Sequence, residues 1–237
     1  MRINCLVDSA YWNDSHITLL PKQSHHLLRV LRVKLGQSIT IFDGKGNVAH
    51  AEVDQVEKDK VILNLIKRWQ EPKPAKSIIL AQSLPKPDRW DLVLQKAVEL
   101  GATEILPMET KHTEYHLSEK KIKRWHQIIK AAAEQSEVRW LPILHETMSY
   151  KDALLNLKRV EFPLIASLYP NAKSMKSINL DKAQSVSILI GPEGDFTEKE
   201  IDEAYQSGVT PVSLGPRILR TETAAIYSLS ILDHRLN

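Results

Sequence analysis

From Ser77 onward, short apolar runs alternate with amphipathic helical stretches, and this alternation limits the possible fold more than any other feature. The strand-like runs are Ser77–Gln82, Glu104–Met108, Phe162–Ala166, Val186–Ile190 and Thr210–Leu214. Arg89–Leu100 places Trp90, Val93, Leu94, Ala97 and Val98 on one helical face, and Gly101 ends it. The spacing predicts a second helix over Glu119–Ser136 with Ile122, Trp125, Ile129 and Ala132 inward. Thr197 and Glu200 have capping-box spacing at the start of a helix over Thr197–Gln206, and Thr221–His234 is the last helix. Alternation of this kind builds an α/β domain: a mostly parallel sheet covered on both faces. Ligands in such sheets bind beyond the carboxyl ends of the strands.

Ahead of this half, Gln70-Glu71-Pro72-Lys73-Pro74-Ala75 interrupts strand and helix alike and reads as a linker. It divides the chain into an N-terminal domain over 1–71 and a C-terminal domain over 75–237. The N-terminal signals are mostly β: Ser38–Asp43, Val48–Val56 and Lys60–Ile66, with Asp43-Gly44-Lys45-Gly46-Asn47 as a turn. Pro21–Val33 reads as a short helix that opens on proline. A small antiparallel barrel with one helix accommodates these elements. Arg29, Arg32 and Lys34 gather beside His25 and His26, either as a solvated helix face or as an RNA contact.

Composition excludes several classes. The net charge of +3 permits a nucleic-acid partner without requiring one. Cys5 is the single cysteine, which rules out an internal disulfide framework and a thiolate zinc site. No apolar run approaches the roughly 20 residues of a membrane span. The first residues lack the apolar block of a secretory signal, so a reducing cytoplasm is the expected location.

The chemistry concentrates between Leu189 and Ala225. Gly191-Pro192-Glu193-Gly194 and Leu214-Gly215-Pro216-Arg217 each follow a short strand and lead towards a helix. Two such turns in succession suggest a pocket for a small polar cofactor, since glycine lets a backbone approach a ligand closely. The first turn has neither dinucleotide-fingerprint spacing nor the Lys-Ser or Lys-Thr pair of a phosphate loop. At the second, capping accounts for Thr221 as N-cap and for Glu222 near the positive helix end. It leaves Arg220 unexplained, a cation where the dipole disfavours one. His112 and His116 are four apart, but Glu114 is misplaced for a zinc-protease helix, and solvated histidines are the simpler reading. No Ser-His-Asp or Cys-His set stands out, and no metal is expected. Lys86-Pro87-Asp88-Arg89 is either a proline-led helix start or a phosphate contact.

Taken together, these segments resemble the RsmE-type family of SPOUT RNA methyltransferases, which methylate N3 of a uridine in 16S ribosomal RNA. The resemblance spans essentially the whole chain. It rests on His26 through Arg32, Phe42 through Gly46, Lys86 through Arg89, Gln95 through Gly101, Ala132 through Ser136, Ile190 through Gly194 and Leu214 through Ala224. It implies an N-terminal PUA-like RNA-binding β-barrel, a C-terminal SPOUT-type α/β domain with a deep trefoil knot, and a homodimer. It also implies a cofactor, S-adenosylmethionine, held by Leu168, by Gly191, Pro192, Glu193 and Gly194, and by Leu214, Gly215, Ile218, Leu219 and Thr223. The partner would be 16S ribosomal RNA or the small ribosomal subunit, with no membrane involved. Arg2, Arg29, Arg32 and Lys86 are the expected phosphate contacts. Arg220 is expected to stabilise the anionic uracil, with Glu222 as a candidate base. A methyltransferase of the same fold acting on another RNA, and a non-catalytic RNA-binding or assembly protein, are the alternatives.

The chain departs from the family pattern at three positions. Asp195 stands where a second glycine usually follows Gly194, and aspartate tolerates a left-handed backbone better than most residues. Val138 and Lys111 each stand where the family usually has arginine. Those two changes bear on RNA contacts and not on the cofactor site.

Overall fold

The structure is a computed structural model that describes residues 3–12, 15–58, 60–114, 119–169 and 172–236. It divides into two compact units, Met1–Lys73 with Ala133–Leu141, and Pro74–Ala132 with Pro142–Asn237. The segment 133–141 thus groups with the N-terminal unit and not with the C-terminal domain expected over 75–237.

In the first unit the elements are β1 (Asn4–Leu6), β2 (His16–Thr18), α1 (Pro21–His25), β3 (Ser38–Phe42), β4 (Asn47–Glu57) and β5 (Lys60–Gln70). The strands pair in the order β1-β3-β4-β5-β2. The expected antiparallel strands pair as β3–β4 and β4–β5, with β2 antiparallel to β5; β1, which the sequence did not announce, runs parallel to β3, and no ladder joins β1 to β2 among the described residues. The β3–β4 turn forms around Asp43, whose carboxylate accepts from the amides of Lys45 at 2.7 Å and Asn47 at 3.1 Å. Burial raises the Asp43 pKa, but these hydrogen bonds and that of the Asn47 side chain outweigh it, so its acidity is increased. Inside the sheet lie Cys5, Ile17, Leu27, Ile39, Ile41, Ala51, Val53 and Leu63. Burial pushes the Cys5 thiol up to about 12.

The helix expected over Pro21–Val33 is shorter. α1 ends at His25, His26–Val30 is wound as a π-helix, and Arg32 stands at φ 52°. Buried Leu27 anchors the wider turn, and no proline or glycine marks the change.

Ala133–Leu141 completes this unit. Glu134 Oε1 accepts from the Leu6 amide at 2.8 Å, and Arg139 Nη2 donates to Asn4 Oδ1 at 2.8 Å. The Arg139 guanidinium lies 4.9 Å from the centre of the Phe42 ring, with its side chain only 11% exposed. Arg139, adjacent to the atypical Val138, is therefore turned inward. A Cβ on Gly46 would fall 2.5 Å from the Trp140 ring, so a glycine there is what admits the indole.

The second unit comprises β6 (Ser77–Ser83), α2 (Pro87–Glu99), β7 (Glu104–Glu109), α3 (Glu119–Ser136) up to Ala132, β8 (Ile143–Leu144), β9 (Met148–Ser149), α4 (Tyr150–Leu157), β10 (Phe162–Ala166), β11 (Lys173–Ser174), β12 (Ser185–Ile190), α5 (Glu198–Gln206), β13 (Thr210–Ser213) and α6 (Thr221–Leu236). Its sheet runs β11-β13-β10-β12-β6-β7-β8, with β9 beside β7 and every pairing parallel. Alternate residues serve opposite faces. Ile79, Ala81, Leu106, Met108, Ile165 and Leu189 pack against α4 and α5. α6 covers β6 and β12 on the other face and packs on α2.

The apolar face of α2 is buried as its spacing predicts, and Trp90 meets Trp125 of α3 edge-on at 5.3 Å. In α3, Trp125, Ile129 and Ala132 are buried, whereas Ile122, expected inward, is 38% exposed. The predicted capping box of α5 is present: Thr197 Oγ1 accepts from the Glu200 amide, and Glu200 Oε2 accepts from the Thr197 amide.

Candidate active site

Three strands of the second unit end at one edge of its sheet. β10 runs into Ser167 and Leu168, β12 into Gly191–Asp195, and β13 into Leu214–Arg220. Together with Lys86 and Arg89 at the start of α2 they enclose a cleft of about 710 Å³. This is the carboxyl-end position at which parallel sheets bind ligands. Leu168, Gly191, Pro192, Glu193, Gly194, Leu214, Gly215, Ile218, Leu219, Arg220 and Lys86 all line it.

The turns use glycine for different reasons. Gly215 sits at φ 127°, a conformation that side chains resist. Gly191 has no left-handed φ; a Cβ there would lie 3.2 Å from the Phe196 ring and from Asp195 Oδ1. Asp195 does adopt φ 58°, and its carboxylate accepts from the Phe196 amide at 2.8 Å, so the unusual residue keeps the turn.

The start of α6 differs from expectation. Thr221 is the first helical residue and not the N-cap; Arg220 flanks the helix, and its carbonyl accepts from the Ala224 amide at 2.8 Å. The buried Thr221 hydroxyl donates to Gly191 O at 2.6 Å and accepts from Gln82 Nε2 at 2.9 Å. It therefore pins the second Gly-rich segment to the first. Arg220 is left exposed on the cleft wall at the positive end of α6.

Two candidates lie outside the cleft lining. Thr223 is exposed elsewhere on α6. Glu222 is 12% exposed, with Oε2 3.9 Å from Arg89 Nη1 and without a hydrogen-bond partner among the described residues. Arg89 Nη1 also donates to Glu193 Oε1 at 3.0 Å, so it stands between two carboxylates. Arg29 and Arg32 are exposed in the first unit. Arg2 and His116 lie outside the described residues. No cluster of three or more metal-ligating side chains occurs among the described residues.

Sequence reasoning missed Arg89 as a cleft residue and His112 as anything but solvated. His112 Nδ1 lies 3.0 Å from both Gly194 O and Asp195 O. That contact joins positions 82 residues or more apart, and no local pattern carries it.

A chain with a parallel sheet, a cleft between Gly-rich turns and a small β unit is matched by known families. Residues 71–233 match the RNA methyltransferase domain and residues 19–66 match the RNA methyltransferase PUA domain, which makes this an RNA methyltransferase. The chain is 34% identical over 229 residues to the ribosomal RNA small subunit methyltransferase E of Bacillus subtilis, covering 90% of this chain and 88% of the relative. It is 40% identical over 173 residues to the protein of the same name from Mesomycoplasma hyopneumoniae, covering 71% and 74%. A crystal structure of ribosomal RNA small subunit methyltransferase E from Neisseria gonorrhoeae, bound to S-adenosyl methionine, matches at TM-score 0.84 and 31% identity, covering 98% and 96%. A putative methyltransferase from Legionella pneumophila, also holding that cofactor, matches at 0.88 and 30%, covering 98% and 96%. The chain belongs to the ribosomal RNA small subunit methyltransferase E family.

Proposed function

We propose that this chain transfers a methyl group from S-adenosylmethionine to N3 of a uridine in 16S ribosomal RNA. The observation that carries the reading is the cleft itself, which joins two Gly-rich turns and places Arg220 on its wall. Its volume falls within the ~300–1,000 Å³ of small-molecule clefts. The residues fit the cofactor. The amides of Glu193 and Gly194 have no partner among the described residues, which leaves two donors for a carboxylate or a polar base. Leu168 and Ile218, 60% and 83% exposed, offer apolar surface for an adenine ring. The lining is mixed in charge, with Glu114, Glu193 and Asp195 beside Lys86, Arg89, Arg217 and Arg220, and the cofactor likewise carries a sulfonium and a carboxylate.

The bound cofactor supplies an electrophilic methyl group. The protein aligns the nucleophile and stabilises its charge. Uridine N3 loses its proton before or during attack, and the Arg220 guanidinium stabilises the resulting anionic uracil. Glu222 stands behind Arg89 and acts as the counter-charge that positions this arginine beside Glu193; the proton goes to water in the cleft. Lys86, on the cleft rim, and exposed Arg29 and Arg32 contact RNA phosphates, with the target base unstacked to reach the methyl group.

The chain works in the cytoplasm as a homodimer, and Tyr227, exposed on α6 outside the cleft, supports such a contact. The return of β13 to β10, on the side away from β12, and the tie from Thr221 to Gly191 support a trefoil-knotted path.

Ribosomal RNA from a strain lacking the protein tests the reaction. Mass spectrometry is expected to show one N3-methyluridine missing from 16S RNA, restored by the wild-type chain. An unchanged set of 16S methyl groups sinks the assignment, and a methyl group lost from another RNA redirects it.

A further inference from the structure

The turn Gly191–Asp195 is held from three directions. Thr221 holds the Gly191 carbonyl, and Arg89 holds the Glu193 carboxylate. The third contact is His112, whose Nδ1 faces the carbonyls of Gly194 and Asp195 at 3.0 Å each. Both partners are acceptors only, so hydrogen-bond logic puts a hydrogen on Nδ1.

That one donor serves the costliest part of the turn. Asp195 holds a left-handed φ of 58°, which disfavours an L residue. On the N–H side the same peptides are already complete, with the Asp195 amide donating to Pro192 O at 3.1 Å and the Phe196 amide to Asp195 Oδ1 at 2.8 Å. Without His112 the two carbonyls lose their protein donor, and the peptide between Gly194 and Asp195 is freer to rotate. The Glu193 and Gly194 amides lie in the two preceding peptides of the turn that the Asp195 amide closes on Pro192 O, so movement at Gly194–Asp195 is passed back to them through that closure.

His112 stands on a rigid platform. The Thr110 amide donates to Thr113 Oγ1 at 2.8 Å, and both hydroxyls meet Ser83 Oγ, at 3.0 and 2.9 Å. The Lys111 amide donates to Glu200 Oε1 at 2.9 Å, which ties the segment to the capping box of α5. The imidazole also sits directly on Gly194: a Cβ there would lie 3.1 Å from His112 Cβ, and its three nearest atoms all belong to His112. Gly194 has no left-handed φ, so it is the imidazole and not the backbone that calls for glycine at this position.

We propose that His112 is a positioning residue for the methyl-donor site, acting through the Nδ1 hydrogen bonds that fix the Gly194–Asp195 peptide. The proposal rests on the cleft being the S-adenosylmethionine site.

Three variants of the full chain test it, read by calorimetry with S-adenosylmethionine, by the KM–kcat split and by Tm. In His112→Asn the amide Nδ2 replaces Nδ1 as donor, and cofactor affinity is expected within about threefold of wild type. His112→Ala removes the donor, and affinity is expected to fall on the order of tenfold. His112→Asp sets an acceptor oxygen against two carbonyls in the shape of Asn, and is expected to bind more weakly than Ala. KM for the cofactor should follow this order, while kcat at saturation and Tm stay close to wild type. Equal affinity for Asn and Asp overturns the proposal, as does a Tm that falls in step with affinity. If wild-type protein binds no S-adenosylmethionine, the cofactor reading of the cleft fails and takes this proposal with it.

Discussion

Arg220 is the residue on which the proposed chemistry turns, and its substitution tests whether that chemistry separates from cofactor binding. It lines the cleft at the exposed entry to α6, whereas the links that hold the Gly-rich segments together are made by Thr221. Arg220→Ala should therefore lower kcat by roughly 10²–10³-fold, the usual loss for one anion-stabilising donor, while S-adenosylmethionine affinity stays within a few fold. Complete loss of cofactor binding would make Arg220 part of the cofactor pocket instead. Glu222→Gln is expected to keep the wild-type pH profile, since the carboxylate faces Arg89; loss of the acidic limb would restore it as the base. In the sequence, Arg220 was legible because helix capping could not account for it. Thr221 was misread because cap chemistry is local, whereas its partners Gly191 and Gln82 are 30 and 139 residues away.

Elements were legible in proportion to their length and burial. β6, β7, β10 and β12 show as apolar runs because both faces of each are largely covered, whereas β13 buries only Val212. β1, β2, β8, β9 and β11 have two or three residues each, too few to display a period. α4 was missed although Ser149 caps it, because its eight residues make barely two turns. Ile122 fits the helical period of α3 but lies beyond the part of the helix that is covered. Side-chain ties also act at element ends, and the start of β7 offers a measurable case. Burial raises the Glu104 pKa, but hydrogen bonds from Arg159 at 3.1 Å and His145 at 2.8 Å outweigh it, so the folded value is lowered. A lowered folded value means stabilisation that is present above the ordinary glutamate range and lost as pH falls through the folded one. Urea midpoints of wild type and Glu104→Gln should therefore differ near neutrality and converge as the pH falls below the ordinary glutamate range. A gap that persists undiminished at low pH would mean that ionisation of Glu104 contributes nothing.

For the whole molecule, Gln70–Ala75 has the composition of a linker, yet the unit before it also contains Ala133–Leu141. No sequence pattern announces this, because the contacts are too short to display a period: one antiparallel β-bridge between Lys45 and Trp140, with the Gly46 amide donating to Arg139 O and the Leu141 amide to Gly44 O, and side-chain ties from Glu134 to the Leu6 amide and from Arg139 to Asn4 and Phe42. A fragment ending at Lys73 lacks all of them. It should lose on the order of 3 kcal/mol relative to one in which residues 133–141 are rejoined through a flexible linker, visible as a lower Tm. Equal melting of the two fragments would show that the segment adds nothing to the unit. The arrangement also bears on inheritance. A recombination event at the proline seam would pass on a β unit with part of its own packing left behind in the other gene. Exchange of the RNA-binding unit between relatives would need two crossovers more, or a recipient that already carries a matching strip. Two halves that read as separable modules are therefore expected to descend together.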